Sequence, residues 1–161
     1  MRILKDSEKD KAQKFIDKAI IEAKNSTCNR SKCGSVIVKN NEIIGKGHNS
    51  PPNNLESQRR CAVKKEQYHT KVTDRTCCVH AEQRAIINAL SKNQDKIKDS
   101  IIYFIRLNEK NEPINAGNPY CTICSKMALD TGIKEFILWH EQGITAYNTE
   151  EYNKSSYNFK E

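Results

Sequence analysis

Cys78-Val79-His80-Ala81-Glu82-Gln83-Arg84-Ala85-Ile86-Ile87-Asn88-Ala89-Leu90 is the stretch on which the fold turns. Ala81, Ala85 and Ala89 lie one turn apart, as do Ile86 and Leu90, so a helix is predicted from His80 to Leu90. Downstream, the continuous apolar run Ile101 to Ile105 predicts a fully buried strand. Asn108 to Asn118 is polar, contains Pro113 and Gly117, and reads as a loop. Cys121 to Asp130 predicts a further helix, stopped by Gly132 in the place of a left-handed cap. Phe136 to Trp139 predicts another buried strand, and Ile144 to Tyr147 a shorter one. Asn148 or Thr149 is placed to cap a last helix.

Upstream, residues 48–78 carry no period and open on the turn Pro51-Pro52-Asn53-Asn54. A stretch of this length without regular structure is usually functional. Before it, Ser35-Val36-Ile37-Val38 and Ile43-Ile44 flank Lys39-Asn40-Asn41-Glu42, which predicts a hairpin. Ala12, Phe15, Ile16, Ala19, Ile20 and Ala23 recur at helical steps, and Ser7 with Asp10 suggests a capping box for that first helix. After the hairpin, strands alternate with helices. That order predicts an α/β fold with parallel crossovers and helices on both faces of one sheet. With 161 residues and no linker or repeat, one domain spanning 1–161 is expected.

The chain carries a formal net charge of +7, from 27 Lys and Arg against 20 Asp and Glu. An anionic partner is compatible with that balance. No dense basic block appears, so an evenly spread lysine-rich surface is the preferred reading, and nucleic acid is the less favoured partner. No run approaches the ~18 apolar residues of a membrane helix, and Met1 to Asp6 opens no signal-peptide core. A cytoplasmic protein without membrane attachment is expected. Seven cysteines in such a protein point to metal or catalysis ahead of disulfides.

The chemistry concentrates at two predicted helix starts, Cys78-Val79-His80-Ala81-Glu82 and Pro119-Tyr120-Cys121-Thr122-Ile123-Cys124. Cys121 and Cys124 are three apart, so in a first turn both sulfurs face one way. The positive end of a helix favours thiolates. His80, Cys121 and Cys124 together form an open three-donor zinc site that leaves a fourth position for water, and two thiolates offset the charge of Zn²⁺. Glu82 points away from His80 on the same helix and is read as a proton carrier, taking a proton from that water and handing it to a leaving amine. Alone, a Cys-x-x-Cys pair reads equally as a redox pair or half of a structural clamp, and His-x-Glu is common by chance. Their conjunction at two helix starts matches the His-x-Glu and Pro-Cys-x-x-Cys signature of nucleobase deaminases.

From Cys28 to Trp139 the chain resembles the cytidine and deoxycytidylate deaminase superfamily, and most of all its deoxycytidylate (dCMP) branch. The resemblance is carried by Thr27-Cys28-Asn29-Arg30, Gly34-Ser35-Val36-Ile37-Val38, Gly45-Lys46-Gly47-His48-Asn49-Ser50-Pro51-Pro52, Cys61, Cys78, and His80-Ala81-Glu82-Gln83-Arg84-Ala85-Ile86-Ile87. It implies a three-layer α/β/α cytidine-deaminase-like fold, with a five-stranded mixed sheet between helices, and assembly as a homo-oligomer. It also implies His80, Cys121 and Cys124 as zinc ligands and Glu82 as proton shuttle. Asn49 matches the residue that contacts the sugar or base, and the Ala81 backbone the group that holds the ring. The implied reaction is hydrolytic deamination of a cytosine nucleotide or nucleoside, dCMP to dUMP being the best guess. Deamination of a base in nucleic acid (the transfer-RNA adenosine type), deamination of free guanine or cytosine, and a non-catalytic zinc module with Cys77 or Cys78 as fourth ligand are the alternatives.

Three departures from the family pattern stand out. Tyr120 separates Pro119 from Cys121, Arg84 replaces an asparagine, and Asn108 to Asn118 is long. Arg84 reads equally as an anion binder or a solvated helix residue. Cys28, Cys33, Cys61, Cys77 and Cys78, with His69 or His48, offer a second, structural zinc site that would hold the 48–78 stretch; the alternative is that Cys28 and Cys33 are buried small hydrophobes. Trp139 and His140 read as packing residues rather than pocket residues. Tyr147, Tyr152, Tyr157 and Phe159 read either as rings that stack on a base or nucleic acid or as part of a terminal helix packed on the sheet, the second being the preferred reading.

Overall fold

The computed structural model describes residues 1–160. The elements run β1 (Arg2–Ile3), α1 (Asp6–Lys24), β2 (Lys32–Lys39), β3 (Glu42–His48), α2 (Ala81–Asn93), β4 (Ile101–Leu107), β5 (Pro113–Ile114), α3 (Thr122–Asp130), β6 (Glu135–His140), β7 (Gly143–Asn148) and α4 (Thr149–Tyr157). The sheet order is β1-β7-β6-β4-β2-β3, with β5 joined to β4, so seven strands replace the five expected. The two additions, β1 and β5, are two residues each, too short to show a period. The fold class stands, but the expected parallel crossovers reduce to one: β4 and β6 are parallel, whereas β6 and β7 form an antiparallel hairpin.

Alternation along the strands divides the core. Val36, Val38, Tyr103, Ile105 and Ile137 face α1, packing on Ala12, Ile16, Ala19 and Ala23. Ile37, Ile102, Phe136 and Leu138 face the other way, toward Ala85, Ile86 and Ala89 of α2 and Ala128 of α3. Period-2 side chains thus bury both faces, which is why the central strands read as continuous apolar runs. The β2–β3 hairpin closes through Asn40 and Asn41, both left-handed (φ 50° and 66°), as the polar turn implied. The first helix starts differently from expectation. Its N-cap is Lys5, without a side-chain cap, and Ser7 lies inside the helix.

Two glycines bring α2 onto the sheet. A Cβ on Gly45 would lie 2.5 Å from the Ala85 carbonyl oxygen, and one on Gly47 would lie 2.5 Å from Ala85 N and 2.6 Å from the Ala81 carbonyl oxygen. This close approach sets the depth of the helix whose first turn carries Glu82. Among the described residues, no helix is long and apolar enough to cross a membrane.

Candidate metal centre and active site

The stretch from 48 to 78 is closed at its base, where Val79 N donates to the Ser50 carbonyl at 3.0 Å in a bridge. The chain therefore arrives at His80 with a fixed direction. His80 is the N-cap of α2, and its backbone N–H donates to the Gln83 side chain at 2.8 Å. Cys121 is the N-cap of α3, its sulfur accepting from Cys124 N at 3.2 Å. Both cap positions bring unpaired backbone donors and positive dipole ends to one place.

There the expected donors meet. His80 Nδ1 lies 3.3 Å from Cys124 Sγ and 3.3 Å from Cys121 Sγ, and the two sulfurs are 2.7 Å apart. One imidazole nitrogen and two thiol sulfurs at the corners of a small triangle, its sulfurs buried and its imidazole half-buried, suit a soft divalent cation such as Zn²⁺, so the residues fit the metal that the sequence implied. In the protein alone, the hydrogen bond with Cys124 dominates the Cys121 thiol and, with His80, brings it down to about 5 against the effect of burial. Burial pulls His80 down, but the Cys121 hydrogen bond and the Glu82 charge outweigh it and raise it to about 9. A thiolate–imidazolium pair results, which a metal would replace.

Glu82, 5% exposed, sits beside the triangle without joining it. Burial raises its carboxyl to about 7, with the His80 charge opposing. A carboxyl near neutrality can both accept and return a proton at physiological pH. Ala81 is fully buried at the start of α2. Asn49 Oδ1 accepts from Ser26 Oγ (2.6 Å) and Cys33 N (2.8 Å), and its Nδ2 donates to the Ser31 carbonyl (2.9 Å). Much of the side chain therefore ties the end of β3 to α1 and β2.

A cavity of about 240 Å³ opens beside His80 and Asn49. Arg30, Lys65, Arg106 and Tyr120 also line it, and no carboxylate does. The sequence reading missed these cations, because they come from three separate segments with no shared motif. Arg106 and Lys65 make no ion pair among the described residues, and Arg30 spends Nε and Nη2 on the carbonyls of Cys61 (2.7 Å) and Val63 (2.6 Å).

A second group of sulfurs forms the far wall. Cys28, Cys61 and Cys78 lie close enough to share one ion. Cys61 Sγ is 3.9 Å from Cys78 Sγ and 3.6 Å from Cys77 Sγ. Burial pushes the Cys61 thiol up, but hydrogen bonds from the Asn29 backbone, Cys77, Arg59 and Cys78 bring it to about 7. Cys78 and Cys77 do not join the His80 group, which removes the fourth ligand that a closed module needed. Exposed His69 and the partly buried His48 stand outside both groups. Arg84 is half-buried, and its Nη2 donates to Pro51 O (2.7 Å) and Ser50 O (3.3 Å), tying α2 to the loop, while its Nε has no partner among the described residues. His140 bonds Ala116 O and the Tyr147 hydroxyl, and Trp139 packs on the α1 side of the core, so both are packing residues.

A family model described as the cytidine and deoxycytidylate deaminase zinc-binding region matches residues 9–140, so the chain belongs to that family. It is 25% identical over 144 residues to a deoxycytidylate deaminase of Schizosaccharomyces pombe, covering 88% of this chain but only 39% of that protein. It is 26% identical over 129 residues to a deoxycytidylate deaminase of Mycobacterium phage D29, covering 76% and 89% respectively. Among solved structures, the dCMP deaminase of cyanophage S-TIM5 in complex with dCMP and dUMP superposes with a TM-score of 0.56 at 22% identity, over 83% of this chain and 82% of that one. That likeness bears on the fold.

Proposed function

We propose that the chain is a zinc-dependent hydrolytic deaminase of a cytosine nucleotide, converting dCMP and water to dUMP and ammonia. The observation that carries this reading is the donor triangle with buried Glu82 beside it, together with a cavity lined by His80 of that triangle, by three cations and by no carboxylate. His80, Cys121 and Cys124 hold Zn²⁺, which when bound supplies Lewis acidity toward water. Glu82 takes one proton from the attacking water and delivers it to the exocyclic nitrogen, which leaves as ammonia. The Ala81 backbone holds the ring edge. Asn49 keeps one amide N–H without a partner among the described residues, and offers it to the sugar or base. Arg106, Lys65 and Arg30 read the phosphate, because cations facing a concave site favour a dianion over a neutral nucleoside.

Ammonia release from dCMP, dCTP, deoxycytidine, cytosine, guanine and a transfer-RNA stem-loop tests the reading. dCMP should exceed deoxycytidine in kcat/KM by roughly tenfold or more, and Arg106→Ala should narrow that gap, as expected for a charge-assisted contact. Equal use of the neutral nucleoside, or activity on RNA alone, would contradict it.

Cys28, Cys61 and Cys78 hold a second, structural zinc in the same proposal, with Cys77 the nearest further sulfur. Their chemistry fits a closed site, and such an ion would pin the irregular 48–78 stretch. Metal analysis should give about two zinc ions per chain, falling to about one in Cys61→Ser/Cys78→Ser. The proposal takes residues 1–161 as one domain, acting as a cytoplasmic homo-oligomer.

A further inference from the structure

Tyr120 interrupts the Pro-Cys-x-x-Cys arrangement, and its surroundings give that insertion a use. Its backbone is held on one side by buried Pro119 and on the other by Cys121, the N-cap of α3 and a member of the donor triangle. The backbone of Tyr120 is therefore anchored beside the site. The residue is 56% exposed, so its ring is accessible from solvent. Tyr120 lines the same cavity as His80, Asn49 and Arg106. The ring leans on Phe159, with centroids 5.9 Å apart at 57°, in the tail that follows α4. Phe159 is itself 41% exposed, so this aromatic pair lies at the surface, with Tyr120 the member that lines the cavity.

We propose that Tyr120 contacts substrate and contributes to its affinity, its ring forming an aromatic wall for the nucleoside part of the ligand, and that Phe159 is the positioning residue that holds the wall in place. This rests on the deaminase reading above. A planar base gains substantially from an aromatic face whatever its edge pattern, so the wall supplies affinity while Glu82 and the metal ligands supply chemistry. It also makes the C-terminal tail part of the active site. The packing of α3 against α4 is what brings Phe159 to Tyr120.

The test uses the full-length, zinc-loaded chain with Tyr120→Ala, Tyr120→Phe and Phe159→Ala. It measures kcat and KM for dCMP, the dissociation constant of dUMP by calorimetry, and zinc content. Tyr120→Ala should raise KM and the dUMP constant by roughly tenfold or more, with kcat falling less than KM rises and zinc content kept. Tyr120→Phe should recover most of the dUMP affinity, because the ring remains. Phe159→Ala should shift KM the same way by a smaller factor. A Tyr120→Ala variant that matches the parent in both KM and dUMP binding overturns this inference alone. A parent protein that neither deaminates nor binds any cytosine compound overturns the deaminase reading and this inference with it.

Discussion

Glu82 is costly to the fold. A carboxyl that is buried in the folded chain and raised from its ordinary 4.5 to about 7 holds a proton that the unfolded chain has already released. Between those two pH values the folded state binds more protons, so stability falls as pH rises through that interval. Glu82→Gln removes the titration. In the metal-free protein the variant should therefore melt at a higher temperature than the parent at pH 8, with the difference closing near pH 4, as thermal unfolding across pH would show. Catalytic groups are commonly kept at such an expense. Ser26, Cys33 and Ser31 illustrate the opposite case: they absorb most of the Asn49 amide and so hold in place a loop residue that the substrate is proposed to meet.

At the scale of elements, α2 is positioned by what β3 lacks. Gly47→Ala would drive a methyl against Ala81 and Ala85, and overpacking of this kind costs about 2 kcal/mol. The expected outcome is a lower melting temperature together with reduced zinc content, because Ala81 adjoins His80. A melting temperature lost without loss of zinc would separate helix depth from site geometry. The same elements show what the sequence could carry. That His80, Cys121 and Cys124 come together was legible because His80 and Cys121 cap two helices and Cys124 lies in the first turn of α3, and a helix start has a local signature. Asn40-Asn41 was legible because left-handed backbone selects asparagine. β1 was not, since two residues pairing with β7 at the far end of the chain leave no period. β5 hid inside a polar insertion for the same reason. The β6–β7 hairpin was misread as part of an alternating pattern because both strands are buried and look alike in sequence. Arg30, Lys65 and Arg106 meet only in three dimensions.

Across the whole molecule, the sheet works as a rack that brings two helix N-termini to one end. One carries the imidazole and the carboxyl, the other the two thiols. The loop from 48 to 78 covers that end. It is fastened by the Ser50–Val79 bridge, by Arg84, and by Arg59, which donates to the Thr27 carbonyl at 2.7 Å. Metal bound by such a scaffold stabilises it by linkage, so a chelator should lower the melting temperature and added zinc should restore it. Melting that ignores both would mean the donors do not hold an ion in the folded state.

The most direct measurement is ammonia release from dCMP by the zinc-loaded protein and by its zinc-loaded Glu82→Gln counterpart. The account predicts steady release by the parent and a loss of roughly 10²–10⁴-fold or more in the variant, with equal zinc in both. Undiminished release by the variant, or none by the parent from any cytosine compound, would contradict it.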